Sequence, residues 1–233
     1  MTKLRLEITK GEEIRYISHL DYARTIERAL RRTKMPLAYS EGFNPHMKLS
    51  FASALSVGVT SMAEYMEVEL TDQVSTEQLR MALAQQLPPS IVINRVKEVV
   101  GKQAALMAVV NIAAYRIVVP WQTVEAPEAA KIALEKFNNS PAVLYIKENP
   151  KGRREIDIKN YIAEAVISNP TPEGINLTML IKITPTGSVK PSEVLKVLTE
   201  DFALPVNSKS ALIIRLGLYV ETDGVRVSPL EMR

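Results

Sequence analysis

Strands and helices are predicted in an order that limits the fold of this chain more than any other feature of the sequence. Leu4, Leu6 and Ile8 alternate with charged residues, which is the two-residue period of a strand with one apolar face. The first half continues with a helix after Ser18, a short extended segment, a strand over Met66 to Leu70, a helix after Ser75 and a strand over Ile91 to Val96. Strand, helix, strand, strand, helix, strand is the ferredoxin-like, or split βαβ, arrangement.

The same order of elements returns in the second half, after a passage at 101–110 without clear periodicity. Strands are predicted at 115–119, 143–146, 156–166, 177–183 and 212–220, and helices near 127–137 and from Pro191. A bend or break near Tyr161 is the alternative to one continuous strand at 156–166. We therefore predict an α+β protein of two tandem ferredoxin-like domains, at 1–105 and 106–233. The repeat is one of element order and not of residues, so an unrelated second α+β domain is the alternative.

Composition excludes several classes of chemistry. The chain of 233 residues is long enough for two domains. Because it contains no cysteine, disulfides, thiolate metal sites and cysteine nucleophiles are excluded. No apolar run approaches the ~20 residues of a membrane span, and the first residues lack the apolar stretch of a signal peptide. We expect a cytoplasmic protein that does not enter a membrane. Nucleotide-binding loops and hydrolase motifs are also missing, and we predict no cofactor and no metal site.

The first predicted helix has an arginine-rich face. At 100° per residue, its arginines fall within a sector of about 100°, opposite the apolar stripe. They are Arg24, Arg28, Arg31 and Arg32. Guanidinium groups pair bidentately with phosphate oxygens, so this face is a candidate phosphate-binding surface. The alternative is a solvated face whose arginines pair with Asp21 and Glu27 at helical spacing.

A segment rich in turn-forming residues follows the helix and combines an aromatic side chain, a histidine and a lysine. Segments of this kind are commonly built for contact. The candidate substrate-binding residues here are Tyr39, Ser40, Glu41, Gly42, Phe43, Asn44, His46 and Lys48. His46 beside Lys48 has the chemistry of an acid, a base or a phosphate donor, and an ordinary surface position is the alternative.

The chain has two histidines, His19 and His46, and both are candidate catalytic residues. His19 is predicted on the apolar side of the first helical turn, where a structural role is the alternative; the two have no metal-ligand spacing. Whether they meet depends on which segment forms the second strand. If 37–40 forms it, which we favour, His46 lies at the end of the helix where His19 begins. If 48–51 forms it, His46 lies at the opposite end, near the last arginines.

A candidate anion-binding site precedes the last predicted helix. Gly187, Ser188 and Lys190 offer free backbone amides, a hydroxyl and a lysine where the helix dipole attracts anions. Ordinary helix capping by the same residues is the alternative.

Several motifs are shared with a known family. They are Tyr16–Asp21, Glu27–Arg32 and Ser40–Ala52 in the first half, and Ile156–Ile158, Tyr161 and Gly187–Pro191 in the second. In these motifs the chain resembles the bacterial radical-SAM-linked protein family, whose members occur alone or fused behind a radical-SAM enzyme. Since this chain has no cysteine to hold a cluster, it resembles the linked domain alone. Met47 stands where the family leads us to expect a proline.

The resemblance implies an accessory domain that presents a substrate, such as RNA, to a radical-SAM partner enzyme. Paired ferredoxin-like domains commonly bind RNA. We therefore predict an RNA-binding or substrate-presenting module that uses the arginine face and Lys48, with Phe43 and His46 at the contact. The alternatives are a metal-independent ribonuclease-like enzyme, with His19 or His46 as general acid or base, and a protein-interaction adaptor.

Overall fold

The computed structural model describes residues 1–101, 103–123, 126–149 and 152–232. Its elements are, in chain order, β1 (Thr2–Lys10), α1 (His19–Arg32), β2 (Leu49–Phe51), β3 (Val59–Leu70), α2 (Thr76–Ala84), β4 (Ile93–Glu98), α3 (Leu106–Val109), β5 (Ile112–Pro120), α4 (Ala126–Asn139), β6 (Leu144–Asn149), β7 (Gly152–Asp157), β8 (Ile167–Pro170), β9 (Gly174–Lys182), α5 (Pro191–Glu200), β10 (Leu212–Thr222) and β11 (Val225–Val227). The fold is α+β, as the sequence predicts. The first half has the ferredoxin-like order of elements, and the second half has this order with two further strands between its helices α4 and α5.

Contacts within the chain define two compact units. Unit 1 comprises Met1–Asn111 and Arg215–Arg233, and unit 2 comprises Ile112–Ile214. The residues from Arg215 onward group with unit 1 because β10 neighbours β3. The division predicted from the sequence, at 1–105 and 106–233, stays a prediction. The passage at 101–110, which lacks periodicity, contains the short helix α3 with Leu106 buried.

Unit 1 has the strand order of a ferredoxin-like sheet. β1 lies between β4 and β3 and is antiparallel to both, so that Leu6 faces Met66 on one side and Val96 on the other. β2 pairs with β3 from the far side, which gives the order β4-β1-β3-β2. Two helices cover one face of this sheet, and their apolar stripes close the core.

The core of unit 1 follows from the alternation seen in the sequence. Its fully buried members come from β1, β3, α1 and α2: Leu4, Leu6, Ile8, Tyr22, Ile26, Ala29, Leu30, Met66, Val68, Leu70, Leu79 and Leu83. Each large aliphatic side chain buried in this way stabilises the fold by about 1.5–3 kcal/mol. Charged residues at the intervening positions of β1 and β3 consequently face the other side of the sheet.

The second strand is β2, and not the segment 37–40 that the sequence pattern favours. β2 pairs with β3 from Leu49 opposite Val68 to Phe51 opposite Met66. The segment 37–40 makes only isolated bridges, one of them within its own hairpin. Both segments are short and extended, and the choice is decided by pairing with a strand almost twenty residues further along the chain.

Unit 2 is built on the antiparallel pair β5 and β9, with β8 on the outer side of β9. β6 and β7 form a separate two-stranded sheet. The turn predicted between them includes Pro150 and Lys151, which lie outside the described residues. Gly174 is required at the start of β9, because a Cβ there would lie 2.2 Å from the Val119 carbonyl oxygen. The long strand predicted at 156–166 ends at Asp157, where a 3₁₀ turn begins.

Candidate functional site

The N-terminal cap and the apolar stripe of α1 decide which way its arginines face. Ser18 Oγ accepts a hydrogen bond from the Asp21 amide at 3.1 Å and donates one to Asp21 Oδ2 at 2.7 Å, so the helix begins at His19. Its buried side chains are Tyr22, Ile26, Ala29 and Leu30. The opposite side is solvent-exposed and carries Arg24, Arg28, Arg31 and Arg32.

Two of these arginines have acidic partners on the same helix. Arg24 Nη1 lies 3.6 Å from Asp21 Oδ1, and Arg31 Nη2 lies 2.6 Å from Glu27 Oε1. All four side chains are at least one-third exposed, and surface pairs of this kind contribute about 0–1 kcal/mol. The solvated-face interpretation therefore describes Arg24 and Arg31.

The remaining cations of this helix and its C-terminal end are not neutralised. Arg28 is exposed and has neither a hydrogen-bond nor an ion-pair partner among the described residues. Arg32 donates to the side-chain and backbone oxygens of Gln86, at 3.1 and 2.6 Å, and so keeps its full charge. Lys34 follows the helix in a left-handed conformation and is also exposed. Positive charge thus accumulates toward the C-terminal end of α1.

The segment between α1 and β2 folds into a small hairpin, here called the 38–48 hairpin. Its arms are joined by hydrogen bonds from the Lys48 amide to the Ala38 carbonyl at 2.9 Å and from the Ser40 amide to the His46 carbonyl at 2.8 Å. Ser40 Oγ also accepts a bond from the His46 amide at 2.9 Å. Lys48 lies at the base, with its ammonium group 3.5 Å from Glu69. Most of the predicted substrate-binding residues are therefore brought together in one ordered element.

The tip of the 38–48 hairpin presents an aromatic ring to solvent. Gly42 has a φ of +114°, a conformation that side chains rarely adopt, and it turns the chain between the arms. Phe43 follows and is fully exposed, more so than any other large hydrophobic residue of the described chain. Glu41, Asn44 and His46 are exposed around it. Since the ring is not packed against the unit, it contributes nothing to the core.

The two histidines lie at opposite ends of β2. The His19 ring meets the Phe51 ring edge-on, with centroids 5.2 Å apart, at the C-terminal end of that strand. His46 lies in the 38–48 hairpin, which precedes the N-terminal end of the strand. The arrangement favoured from the sequence, in which the two approach each other, required 37–40 to be the second strand. The structure instead places His46 toward the end of unit 1 at which α1 finishes.

His19 is half-buried and has one unsatisfied ring nitrogen. Its Nδ1 is enclosed and lacks a hydrogen-bond partner among the residues described. Burial lowers the pKa of His19 below its usual value; Glu64 opposes this shift, whereas Arg215 and Lys10 add to it. The ring is therefore neutral at neutral pH.

Beside His19 lies a buried group of charged side chains that was not predicted from the sequence. Arg215 Nη1 donates to both carboxylate oxygens of Glu64, at 2.9 and 3.1 Å, and the two side chains are 3% and 2% exposed. Ser61 Oγ donates to the same carboxylate at 2.6 Å. Lys10, 1% exposed, donates to two backbone carbonyls in the chain leading to α1, and burial lowers its pKa.

One sequence signal for this buried group exists. Glu64 has the same strand parity as the core residue Met66, and Lys10 has the same parity as Ile8, so both charges stand on the apolar side of their strands. A charge at an apolar position is rare unless it is paired. The partner, Arg215, is 151 residues from Glu64 and gives no local signal.

The sheet face of unit 1 opposite the helices is covered by the end of the chain. Arg5 Nη1 donates to the Pro229 carbonyl, and Lys97 Nζ donates to the Leu230 carbonyl at 2.9 Å. Leu230 is buried. The segment Ser228–Met232 thus occupies a surface that a ferredoxin-like sheet often leaves open.

The predicted anion site of unit 2 is bonded internally. The Lys190 amide donates to the Glu193 carboxylate at 2.7 Å, so the first turn of α5 already holds a negative group. Ser188 Oγ donates to a backbone carbonyl at 2.8 Å, and the Ser188 carbonyl accepts from Lys147. Gly187 provides the turn, with a φ of +125°. Helix capping accounts for these residues, and an anion-binding role for them stays a prediction.

Within the described part of the chain, each helix is too short or too polar to span a bilayer.

A solved structure of a Cbf5-Nop10-Gar1 complex contains a chain of similar fold, with a TM-score of 0.51 and 9% sequence identity. The similarity covers 92% of this chain and 47% of the other, so the chain spans about half the length of that protein. At this identity the similarity shows the fold alone.

The sequence itself matches one family model. No curated protein matches the chain. The model of a family described as an uncharacterized protein conserved in bacteria (DUF2344) matches residues 3–191. Since the match extends over well more than half of the 233 residues, the chain belongs to this family of uncharacterized bacterial proteins.

Proposed function

We propose that unit 1 binds RNA through the arginine face of α1 and the 38–48 hairpin, and presents it to a partner enzyme. The observation that carries this proposal is the uncompensated charge of Arg28, Arg32 and Lys34 on an exposed surface. Exposed cations without acidic neighbours pair readily with a polyanion, because binding releases the counterions of its phosphates. The overall charge of +3 would not by itself indicate such a partner.

The geometry of the helix suits a phosphate chain. Arg24, Arg28 and Arg32 follow one another every four residues, a step of about 6 Å along the helix axis. They form one row that successive phosphates of an extended strand are able to follow. The helix side is preferred to the sheet face, because Ser228–Met232 covers the latter.

The proposal is tested by the salt dependence of RNA binding. One variant replaces Arg24, Arg28 and Arg32 by glutamine, and the control replaces the exposed Arg80, Arg116 and Arg154 by glutamine. Each phosphate contact to a single strand contributes about 0.7 to the slope of log K against log salt, so the first variant should lose about 2 of that slope. The control should keep the wild-type slope. Equal losses in both variants would mean that charge alone, and not this surface, attracts RNA.

The partner we propose is a radical-SAM enzyme, and this part rests on the family resemblance. An accessory module with an exposed binding surface, acting in the cytoplasm, fits such a role. Affinity purification of the tagged chain from bacterial cells should recover the enzyme together with RNA. Recovery that survives ribonuclease treatment would assign the contact to protein surfaces, as an interaction adaptor requires. Failure to recover any radical-SAM enzyme would remove this partner.

A metal-independent ribonuclease is a second candidate, and the observation that favours it is His19. Burial lowers the pKa of this half-buried ring and keeps it neutral beside a buried charged group, a combination that is enriched at active sites. Incubation of the pure protein with RNA in the presence of a chelator tests the activity. Cleavage that is abolished in His19→Gln and retained in His46→Gln would support it. Intact RNA, or cleavage that persists in His19→Gln, would exclude this role for His19.

A further inference from the structure

We propose that the RNA held by unit 1 is single-stranded and that one unpaired base stacks on the ring of Phe43. This inference rests on the proposed function, and it adds the class of RNA and the contact that selects it. The ring is fully exposed at the tip of the 38–48 hairpin. An aromatic side chain held outside the core has lost the hydrophobic stabilisation that burial would provide, of about 1.5–3 kcal/mol.

The arms that carry this ring are joined to each other before any partner arrives. Hydrogen bonds join the arms on either side of the tip, from Ser40 to His46 and from Lys48 to Ala38. The arms are therefore ordered in the free protein, and binding has to fix only the tip at 41–45 and the ring itself. By comparison, the exposed ring of Tyr16 already has a guanidinium group over it, that of Arg15, at 4.7 Å from the centroid.

The surroundings of Phe43 match a nucleotide better than an apolar protein surface. Asn44, next in the chain, carries an amide that both donates and accepts hydrogen bonds, as base edges require. His46 is exposed on the same hairpin and supplies a group for a flanking phosphate. Tyr39 is a second, partly exposed aromatic residue on the same hairpin. Bases that stack on aromatic side chains between cationic groups are the general pattern of single-strand binding.

Single-stranded RNA is required because a duplex hides its bases. In an A-form helix the faces of the bases are stacked on one another, so a protruding ring has no base face to meet. A duplex would still contact the arginine row through its phosphates. The stack on Phe43 is therefore the contact that separates the two forms of RNA.

The test measures binding of a labelled RNA oligonucleotide, single-stranded or as a duplex of the same length, by fluorescence anisotropy. Phe43→Ala should weaken single-strand binding by about 5- to 150-fold, the effect of losing one stacked base, and should leave duplex binding unchanged. Phe43→Trp should restore single-strand affinity, and its added fluorescence should be quenched on binding. Because the ring is outside the core, all variants should keep the wild-type melting temperature.

The outcomes separate this inference from the proposed function. If single strands bind through the arginine row and Phe43→Ala binds them equally well, only the stacking inference is wrong. Equal loss of single-strand and duplex binding in Phe43→Ala would also overturn it. Binding of neither RNA by the wild type would overturn the proposed function and this inference together. Loss of a captured protein in Phe43→Ala, with RNA binding intact, would assign the ring to a protein interface instead.

Discussion

Replacing Arg215 by methionine should destabilise unit 1 strongly, because it leaves the Glu64 carboxylate inside the protein without its main partner. The two side chains are 3% and 2% exposed and share two hydrogen bonds, at 2.9 and 3.1 Å. Removing one member of a buried pair costs about 3–5 kcal/mol. At about 2–4 °C per kcal/mol, the melting temperature should fall by about 6–20 °C.

The structure also predicts which member of the pair matters more. Arg215→Met leaves Glu64 with the nearby Lys10 as a cation of opposite sign. Glu64→Leu removes the carboxylate that faces both cations, Lys10 and Arg215, and should cost more. In the double variant neither ion of the pair is left buried without the other, so its cost should be smaller than the sum of the single costs by about 2–4 kcal/mol.

Urea denaturation of the four proteins of this cycle, followed by circular dichroism, measures these differences. The double variant should still be less stable than the wild type, because Ser61 Oγ loses its acceptor and the Ala54 carbonyl loses a donor at 2.9 Å. Additive single costs, or single costs below about 1 kcal/mol, would refute the reasoning, since such values are typical of exposed pairs. A cheaper loss of Glu64 than of Arg215 would refute the role given to Lys10.

Three further changes follow from the same contacts. The pKa of His19 is lower in the folded than in the unfolded chain, so the unfolded state takes up the proton first as the pH falls. The melting temperature should therefore be highest above about pH 6.5, decline below that pH, and decline less in His19→Gln; an equal decline in the variant would contradict this. Gly174→Ala should destabilise unit 2 by about 1–3 kcal/mol, because the new Cβ would clash with the Val119 carbonyl oxygen. The fluorescence of the single tryptophan of unit 2 measures this loss during urea denaturation, and an unchanged denaturation midpoint would contradict the close approach. Lys10→Met should cost about 1–3 kcal/mol in urea denaturation, because it leaves the Ile17 carbonyl without a donor, whereas the Arg15 carbonyl keeps the Gly58 amide at 2.8 Å; an unchanged midpoint would show that water satisfies the Ile17 carbonyl.

Local patterns were sufficient to predict most of the longer elements of the fold. The alternation around Leu6 predicts β1, the apolar stripe containing Tyr22 predicts α1, and Pro191 marks the first residue of α5, as the structure confirms. These signals depend on residues within one or two turns of each other, and burial of one face is what produces them. The ferredoxin-like order then follows from the succession of the elements.

Longer-range choices were not predictable in this way. The segments 37–40 and 49–51 have the same local pattern, and only the pairing of Leu49 with Val68 selects the second of them. Because 49–51 forms the second strand, His46 and His19 lie at opposite ends of it. The buried pair of Glu64 and Arg215 escaped prediction for the same reason, since its members are far apart in the chain. The arginine face could be predicted from the sequence, because all of its residues lie on one helix, whose period is known.

Ultraviolet crosslinking of bound RNA, with mass-spectrometric mapping of the crosslinked peptides, tests most directly whether unit 1 holds the RNA on the surface described. Crosslinks are predicted within residues 24–48, strongest at Phe43 on the hairpin tip and accompanied by contacts along α1. Crosslinks confined to unit 2, for example at the loop containing Ser188, or to the sheet face beneath Ser228–Met232, would contradict the account.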